Sequence, residues 1–322
     1  MTLDEAARHV TMTETVFELE NVEIDGVQFR AFKNIPPHVN ALLRASRQAQ
    51  FGGAADYLVF HGERWTYDEF IDEIDKVSEK LKRQFNVEKG TPVAIAMRNT
   101  PEYLVLIMAI ASLGGVTVFL NAWWTTDELK YALADSRAQL VFADAMRCNR
   151  LAPLVKEMEL TVIGVRDGET LTEACYSDLI KGPSNSHAIE TTIDSDDDFA
   201  IMYSSGTTGH PKGVVQTHRG AVNAVYTWLM QAAMAPLINP PAKDAPAPPR
   251  PSVLVVTPLF HVTATHPLFL LSMPSGAKLV LMEKWDATQA ARIIEEEQIT
   301  RFLGVPTQSF ELALAAKALG IS

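Results

Sequence analysis

One short segment of the chain combines residue types that bind phosphate groups. Residues 203–213 read Tyr-Ser-Ser-Gly-Thr-Thr-Gly-His-Pro-Lys-Gly and contain four Ser or Thr hydroxyls, three glycines and one lysine. Glycine lets the backbone N–H approach a ligand closely, hydroxyls donate hydrogen bonds, and lysine supplies a mobile positive charge. Apolar runs on both sides, Ala200–Tyr203 and Gly213–Val215, predict two buried strands. The composition alone is typical of a polyphosphate site and also of an ordinary turn.

The order of the residues distinguishes between known kinds of phosphate-binding loop. A P-loop kinase or ATPase is disfavoured, because no Gly-Lys-Ser/Thr triplet follows four residues after a glycine. The segment instead resembles the phosphate-binding loop of the adenylate-forming superfamily, which includes acyl-CoA synthetases, luciferases and peptide-synthetase adenylation domains. The family pattern is Thr/Ser-Ser/Thr-Gly-Thr-Thr-Gly-x-Pro-Lys-Gly. The matching positions here are Ser204, Ser205, Gly206, Thr207, Thr208, Gly209, Pro211, Lys212 and Gly213.

This resemblance implies a reaction in two halves. A carboxylate attacks the α-phosphate of ATP and pyrophosphate leaves; the thiol of coenzyme A then displaces AMP from the acyl-adenylate. The implied cofactors are ATP, Mg²⁺ bridging its phosphates, and coenzyme A. Thr208 and Lys212 are implied catalytic residues, with Lys212 balancing charge on the leaving pyrophosphate. The implied ATP phosphate-binding residues are Ser204, Ser205, Gly206, Thr207, Thr208, Gly209 and Lys212.

Three further positions are candidates for contact with the acyl substrate. Thr257-Pro-Leu-Phe-His261 resembles an element of acyl-CoA synthetases. The resemblance implies a role for His261 near the substrate carboxylate, which makes it a catalytic candidate as well as an acyl-binding one. The alternative is a core histidine among apolar neighbours. This element favours a plain carboxylic acid over an amino acid. Gly304-Val-Pro-Thr307 resembles a family segment that borders the acyl pocket, which makes Thr307 a candidate. Trp123 and Trp124 either line an acyl entrance or anchor their loop on the sheet, and Trp124 is the acyl-site candidate. No residue is assigned as a metal ligand.

The elements that must position these residues alternate between strands and helices. Apolar runs predict the strands 92–97, 116–120, 139–143, 160–164, 253–256, 278–281 and 301–305. Helices are predicted between them, and Thr66 with Glu69 and Thr125 with Glu128 have the spacing of capping boxes. Short apolar strands alternating with helices indicate parallel sheets covered on both faces. The expected fold class is α/β, with stacked parallel-rich sheets flanked by helices, as in the large N-terminal domain of adenylate-forming enzymes.

The expected organisation is one AMP-binding domain over residues 1–322, incomplete relative to the family. Residues 1–60 are expected to wrap the surface, and residues 236–251, with seven prolines among 16 positions, to form an exposed loop. The acidic run Asp194–Asp198 is expected to be a solvated loop. The family's later adenine-, ribose- and metal-binding segments and its small C-terminal domain have no counterpart. We therefore expect a truncated chain that is inactive alone.

Composition excludes several classes of function. A net charge of −11, from 28 basic and 39 acidic residues, and the lack of a basic stripe argue against a nucleic-acid partner. Two cysteines form no metal-type cluster and fit a reducing, cytoplasmic setting. The longest apolar run, Leu104–Ala111, is too short to span a bilayer, and a homodimer remains open. The predicted activity is an acyl-CoA synthetase acting on a fatty or aryl acid. The alternatives are a non-catalytic nucleotide-binding remnant, a luciferase-like enzyme or a peptide-synthetase adenylation domain.

Overall fold

The chain folds into two large sheets and one separate hairpin. The structure is a computed structural model that describes residues 1–24, 26–183, 191–204, 211–242 and 244–321. Its strands are β1 (Leu19–Ile24), β2 (Val27–Phe32), β3 (Asp56–Phe60), β4 (Glu63–Thr66), β5 (Pro92–Ala96), β6 (Val116–Phe119), β7 (Leu140–Ala143), β8 (Thr161–Gly164), β9 (Ala174–Cys175), β10 (Asp198–Ser204), β11 (Lys212–Thr217), β12 (Ser252–Val255), β13 (Lys278–Leu281) and β14 (Arg301–Phe302).

The helices lie between these strands and on the faces of the sheets. They are α1 (Leu3–Thr13), α2 (Val39–Ala45), α3 (Tyr67–Phe85), α4 (Pro101–Ser112), α5 (Thr126–Ser136), α6 (Ala145–Glu157), α7 (Tyr176–Leu179), α8 (His218–Ile238), α9 (Val262–Ala264), α10 (Leu271–Ser275), α11 (Ala287–Glu296) and α12 (Pro306–Leu319). A π-helical turn, Thr265–Leu270, joins α9 to α10.

Both large sheets are mainly parallel. The seven-stranded sheet has the order β11-β10-β6-β5-β7-β8-β9, and the five-stranded sheet has the order β14-β12-β13-β3-β4. The antiparallel pairs are β10 with β11, β3 with β4, and the separate hairpin of β1 with β2. The predicted parallel-rich α/β fold is therefore confirmed, although one edge of each large sheet carries an antiparallel strand that the alternating pattern did not reveal.

Helix α4 forms the centre of the core. All twelve of its residues are buried, because the helix is apolar on every side and packs against α3 and against strands of both sheets. The same core cluster contains Phe119 and Phe142 from one sheet and Val255 and Leu279 from the other. The two sheets thus share a single apolar layer.

The expectation that residues 1–60 wrap the surface holds for only part of that segment. Helix α1 and the β1–β2 hairpin are largely exposed. In contrast, Leu42, Leu43, Tyr57 and Leu58 are fully buried. The reason is a distant partner: β3 pairs in parallel with β13, more than 200 residues further along the chain, and local periodicity does not reveal such a pairing.

The strand after the glycine-rich segment also differs from the prediction. Strand β11 was expected to be buried, but Val214 and Val215 are 50% and 54% exposed. Strand β11 is the edge of the seven-stranded sheet and pairs only with β10 among the described residues. An apolar run therefore marks an exposed edge strand here.

Helix α8 extends further than the sequence indicated. It runs for 21 residues through Pro236 and meets the length and composition criteria for a membrane-crossing helix, criteria that core helices of globular proteins also meet. It packs against α1. The remaining described residues of the proline-rich stretch, 239–242 and 244–250, are mostly exposed and have no regular structure.

Candidate functional site

The carboxyl ends of the central strands of both sheets open onto a set of adjacent cavities. Ligands of open α/β sheets bind outside the carboxyl ends of the strands, where the strand order changes direction. Here Asn121 follows β6, Arg98 follows β5, Thr257 follows β12 and Glu283 follows β13. Each of these residues lines one of the cavities. The fold therefore places polar side chains from four separate strands along one edge.

The first space lies between His261 and the described residues Ser204 and Pro211, and we call it the His261 cavity. It has a volume of about 150 Å³. A more open cavity of about 360 Å³ adjoins it and shares Tyr203, Ser204, Phe260 and His261 with it. The residues that line the His261 cavity are Phe119, Asn121, Trp124, Tyr203, Ser204, Pro211, Phe260 and His261.

Three of the residues proposed from the sequence meet in the His261 cavity. Ser204 is the last residue of β10, His261 precedes α9, and Trp124 follows β6. His261 is exposed and lies beyond a turn after β12, instead of at the strand end. It is therefore available to a ligand, and the alternative of a core histidine does not apply.

Two other proposed residues lie outside this cavity. Lys212 begins β11, and its side chain is exposed. Thr307 is exposed at the first turn of α12, while Val305 and Gln308 on either side of it line a neighbouring cavity. The positions of Ser205, Gly206, Thr207, Thr208 and Gly209 lie outside the described residues, so their proposed roles stay predictions.

The end of β10 is held in place by its tyrosine. The Tyr203 hydroxyl lies 2.8 Å from Asp135 Oδ2 and 3.0 Å from the Ala132 carbonyl oxygen, so its single proton is shared between two acceptors on α5. The Tyr203 ring also packs edge-on against Trp124, with ring centroids 5.5 Å apart. Burial, together with the hydrogen bond to the Asp135 carboxylate, raises the pKa of Tyr203 well above its ordinary value. The hydroxyl therefore stays protonated and anchors the strand just before the glycine-rich segment.

The start of β10 is held by ion pairs. Lys89 Nζ lies 2.7 Å from Asp197 and 3.0 Å from Asp194, and Arg219 Nε lies 2.6 Å from Asp196. The acidic run expected to be a simple solvated loop thus connects two basic residues on either side of it. Asp194 and Asp196 remain largely exposed, so their ion pairs with Lys89 and Arg219 are screened by solvent and contribute little to stability.

A larger cavity lies on the other side of Phe260, and the sequence did not predict it. We call it the Trp123 cavity. It has a volume of about 380 Å³. Its residues come from the segments that follow β5, β6, β12, β13 and β14. Arg98 and Thr257 are polar residues directly after apolar runs, and this signal could have found those two. They are Arg98, Asn99, Ala122, Trp123, Val256, Thr257, Pro258, Phe260, Glu283, Lys284, Trp285, Val305 and Gln308.

The two adjacent tryptophans have different environments. Trp124 is 8% exposed and packs in an apolar cluster with Leu129 and Leu133 of α5. Trp123 is 59% exposed, and its ring meets that of Phe260 edge-on at 5.3 Å between centroids. Trp124 therefore both anchors its loop and lines the His261 cavity, whereas Trp123 forms a wall of the second cavity.

Within the described ranges, no three His, Cys, Asp or Glu side chains gather in a way that would hold a metal ion.

The amino-acid sequence is similar to those of known enzymes. A family model described as "AMP-binding enzyme" matches residues 45–319. The chain is 30% identical over 250 residues to a 2-succinylbenzoate–CoA ligase of Bacillus pumilus and 31% identical over 242 residues to 4-coumarate–CoA ligase 2 of Oryza sativa subsp. japonica. These matches cover 78% and 71% of this chain but only 45% and 41% of the two ligases. The chain thus spans less than half the length of these relatives.

Solved structures give the same picture of the fold. The inhibitor-bound N-terminal domain of FACL13 from Mycobacterium tuberculosis superposes with a TM-score of 0.67 at 25% identity and covers 87% of this chain and 65% of its own. The anthranilate CoA ligase AuaEII in complex with anthranoyl-AMP gives a TM-score of 0.74 at 18% identity, over 86% of this chain and 51% of its own, and supports the fold alone.

Proposed function

This chain belongs to the AMP-binding enzyme family, and from that premise we propose that it is the ATP-binding part of an acid–thiol ligase. The reaction joins a carboxylate oxygen to the α-phosphorus of ATP with release of pyrophosphate. Attack of the coenzyme A thiol on the acyl carbon then releases AMP. Neither step needs a covalent nucleophile from the protein, so the side chains contribute position and charge.

The observation that carries this proposal is the His261 cavity. One of its boundaries is formed by Ser204 and Pro211, the described residues that flank the central part of the glycine-rich segment, and another by His261. A triphosphate bound by the segment would therefore direct its α-phosphate toward the space that His261 borders. We propose that Ser204 and the hydroxyls and amides of residues 205–209 hold the phosphates. Lys212 is proposed to neutralise the leaving pyrophosphate, and Thr208 to assist it.

The acid is proposed to bind with its carboxylate near His261. The cavity that adjoins the His261 cavity is lined largely by apolar side chains, including Met202, Val214, Phe260 and Val262. Such a lining accepts an aryl or alkyl group and disfavours a charged amino acid. The two ligases named above act on 2-succinylbenzoate and 4-coumarate, which are both aromatic acids, and we propose an aryl acid for this chain as well. Mg²⁺ is proposed to bind through the phosphates of ATP.

The test is a calorimetric titration of the 322-residue protein and its Lys212→Ala variant with ATP and with AMP. We expect the variant to bind ATP about tenfold more weakly, since a charge-assisted contact to phosphate is worth roughly 1.5–3 kcal/mol. AMP lacks the β- and γ-phosphates, so its affinity should not change. Lys82→Ala, on the exposed face of α3, is the matched control. Equal ATP affinities for the wild type and the Lys212 variant would contradict the proposed role.

Turnover is measured separately from binding. Because the chain spans less than half the length of its curated relatives, the readout that we expect from this polypeptide is ATP binding without complete thioester synthesis. An assay for thioester formation with an aryl acid, ATP and coenzyme A separates the two outcomes. Product formation at a rate that matches a complete ligase would overturn the expectation of inactivity and leave the binding proposal in place.

A further inference from the structure

The cavity that adjoins the His261 cavity has one amide side chain in its wall. Its volume of about 360 Å³ is within the range of small-molecule sites. We call it the Gln216 cavity, and the residues that line it are Met202, Tyr203, Ser204, Val214, Gln216, Phe260, His261 and Val262. These described residues include no Asp, Glu, Lys or Arg. A charged group held away from His261 would find no counter-ion, so the far end of a ligand in this cavity has to be neutral.

The Gln216 amide uses little of its hydrogen-bonding capacity. Its Oε1 atom is buried and has no partner within the described residues. Its Nε2 atom donates to the Met202 sulfur at 3.5 Å, and a thioether is a weak acceptor. A buried amide oxygen without a donor is costly, so a ligand that supplies a donor is favoured. A primary carboxamide offers a donor and an acceptor in one plane, and can pair with both ends of the glutamine amide.

The register of β10 and β11 places Gln216 far from the glycine-rich segment. Ser204, where that segment begins, lies opposite Lys212. Gln216 follows Lys212 by four residues, which is about 14 Å along a strand, and both project from the same face because side chains alternate. Ser204 and Gln216 nevertheless line the same cavity. The cavity therefore runs along the strand pair from the end at Ser204 to the amide.

We propose that Gln216 is a specificity-determining residue that recognises a neutral carboxamide at the far end of the acid. The carboxylate of the acid lies at His261, and its body packs on Met202 and Val214. The carboxamide N–H donates to Gln216 Oε1, and the carboxamide oxygen accepts from Gln216 Nε2. The position of the carboxylate rests on the proposed function, whereas recognition of an amide by Gln216 does not.

The test compares two acids that differ in one hydrogen-bond donor. Binding of 4-carbamoylcinnamate and of 4-acetylcinnamate, whose methyl ketone has nearly the shape of the carboxamide, is measured by calorimetry on the 322-residue protein. We expect the carboxamide to bind about tenfold more tightly, because the ketone leaves Gln216 Oε1 without a donor. Gln216→Met keeps an unbranched side chain of similar length and should reduce this preference to less than about twofold. Gln84→Met is the control for the same substitution at an exposed position of α3.

A stability measurement separates recognition of a ligand from a role in the fold. Gln216→Met removes a buried oxygen that has no partner among the described residues, so the midpoint of urea denaturation should not fall. A lower midpoint together with an unchanged preference for the carboxamide would show that the amide serves the fold, and would overturn the proposal. Equal affinities of the wild type for the two acids, which solvation of the amide by water alone would produce, would overturn it as well. So would the absence of binding by either acid.

Titration with ATP separates this proposal from the proposed function. If ATP binds in a Lys212-dependent manner and the carboxamide shows no preference, only the role of Gln216 fails. If the Gln216-dependent preference is present and ATP does not bind, the amide site stands and the ligase assignment fails.

Discussion

At the scale of single residues, the candidate site depends on side chains that hold β10 and not only on those that would touch a ligand. Tyr203 is the clearest case, since its hydroxyl faces two acceptors on α5 and its ring faces Trp124. The next residue, Ser204, is the first hydroxyl residue of the glycine-rich segment. The angle at which the chain enters that segment is therefore set by a contact with a helix that carries none of the proposed ligand-binding residues.

We expect Tyr203→Phe to lower the free energy of unfolding by about 1 kcal/mol, because the Asp135 carboxylate and the Ala132 carbonyl oxygen lose a shared donor. We also expect weaker ATP binding, since the start of the segment is less restrained. Urea denaturation and calorimetric titration measure the two effects. Asp135→Asn, which retains an acceptor for the tyrosine proton, is the matched control. Unchanged ATP affinity in Tyr203→Phe would show that the anchor serves stability alone.

Histidine burial gives the fold a defined response to acid. His218 is fully buried, and burial, with a smaller contribution from the nearby His38, lowers the pKa of His218 to about 4. Asp197 acts in the opposite direction, and Lys89 adds slightly to the lowering. His266 is 4% exposed, and burial lowers its pKa to about 4 as well. The folded chain therefore holds both imidazoles neutral at neutral pH.

The sign of the pH dependence follows from these lowered values. In the unfolded chain the histidines take up protons near pH 6.5, and in the folded chain only near pH 4. The contribution of these two histidines to stability is therefore nearly constant well above pH 6.5 and falls as the pH drops through 6.5 toward 4. At pH 5 we expect a loss of about 2 kcal/mol for His218, from roughly 1.4 kcal/mol per pH unit. Urea denaturation at pH 7.5 and pH 5.0 measures this loss.

The variant His218→Asn isolates one of the two contributions. Its amide oxygen can accept the Val39 N–H in place of His218 Nδ1, but it does not titrate. The difference in unfolding free energy between pH 7.5 and pH 5.0 should shrink by about 2 kcal/mol relative to the wild type. An unchanged difference would mean that His218 is not a source of the acid sensitivity.

At the scale of elements, the sequence predicted best what is encoded locally. Thr66 and Thr125 cap α3 and α5 as expected, each with a glutamate three residues later that reaches back to the cap. The strand 278–281 has the predicted bounds. Strand β3 was not predicted, because its burial depends on β13, a partner far along the chain. Strand β11 was predicted to be buried, because an apolar run does not distinguish a strand at the edge of a sheet from one at its centre. The Trp123 cavity was not predicted, because polar residues after single apolar runs do not show that five strand ends meet.

The cap of α3 offers a direct test at this scale. Thr66→Ala removes the side-chain acceptor for the Glu69 N–H, and we expect it to lower the free energy of unfolding by about 1 kcal/mol. Thr66→Ser keeps the hydroxyl and should cost much less. Urea denaturation of the two variants measures the loss of unfolding free energy in each. Equal losses for Ala and Ser would point to packing of the threonine methyl group in place of capping.

At the scale of the whole molecule, one arginine connects the two sheets. Arg166 follows β8 of the seven-stranded sheet, and its Nη2 lies 2.8 Å from Glu63 Oε2 on β4 of the five-stranded sheet. Its Nε lies 2.9 Å from Glu102 on the central helix α4, and its guanidinium stacks over the Phe60 ring at 4.8 Å. The side chain of Glu102 is only 12% exposed, so this carboxylate depends on Arg166 for compensation.

We expect Arg166→Met to lower the free energy of unfolding by about 2 kcal/mol, because it leaves the Glu102 charge poorly compensated. The double variant Arg166→Met with Glu102→Gln should recover part of that loss. Glu63→Gln alone should cost less than about 1 kcal/mol, since its side chain is 49% exposed. Thermal denaturation of all three variants measures these differences. A double variant no more stable than Arg166→Met would locate the effect in the Phe60 contact.

The complete burial of α4 has a consequence for how the molecule comes apart. Neither sheet has a complete apolar core of its own, because each packs one face against the same helix, α4. Detaching either layer would expose the other to water. We therefore expect calorimetry to record a single endotherm whose van 't Hoff and calorimetric enthalpies agree, so that the pair of layers melts as one cooperative unit.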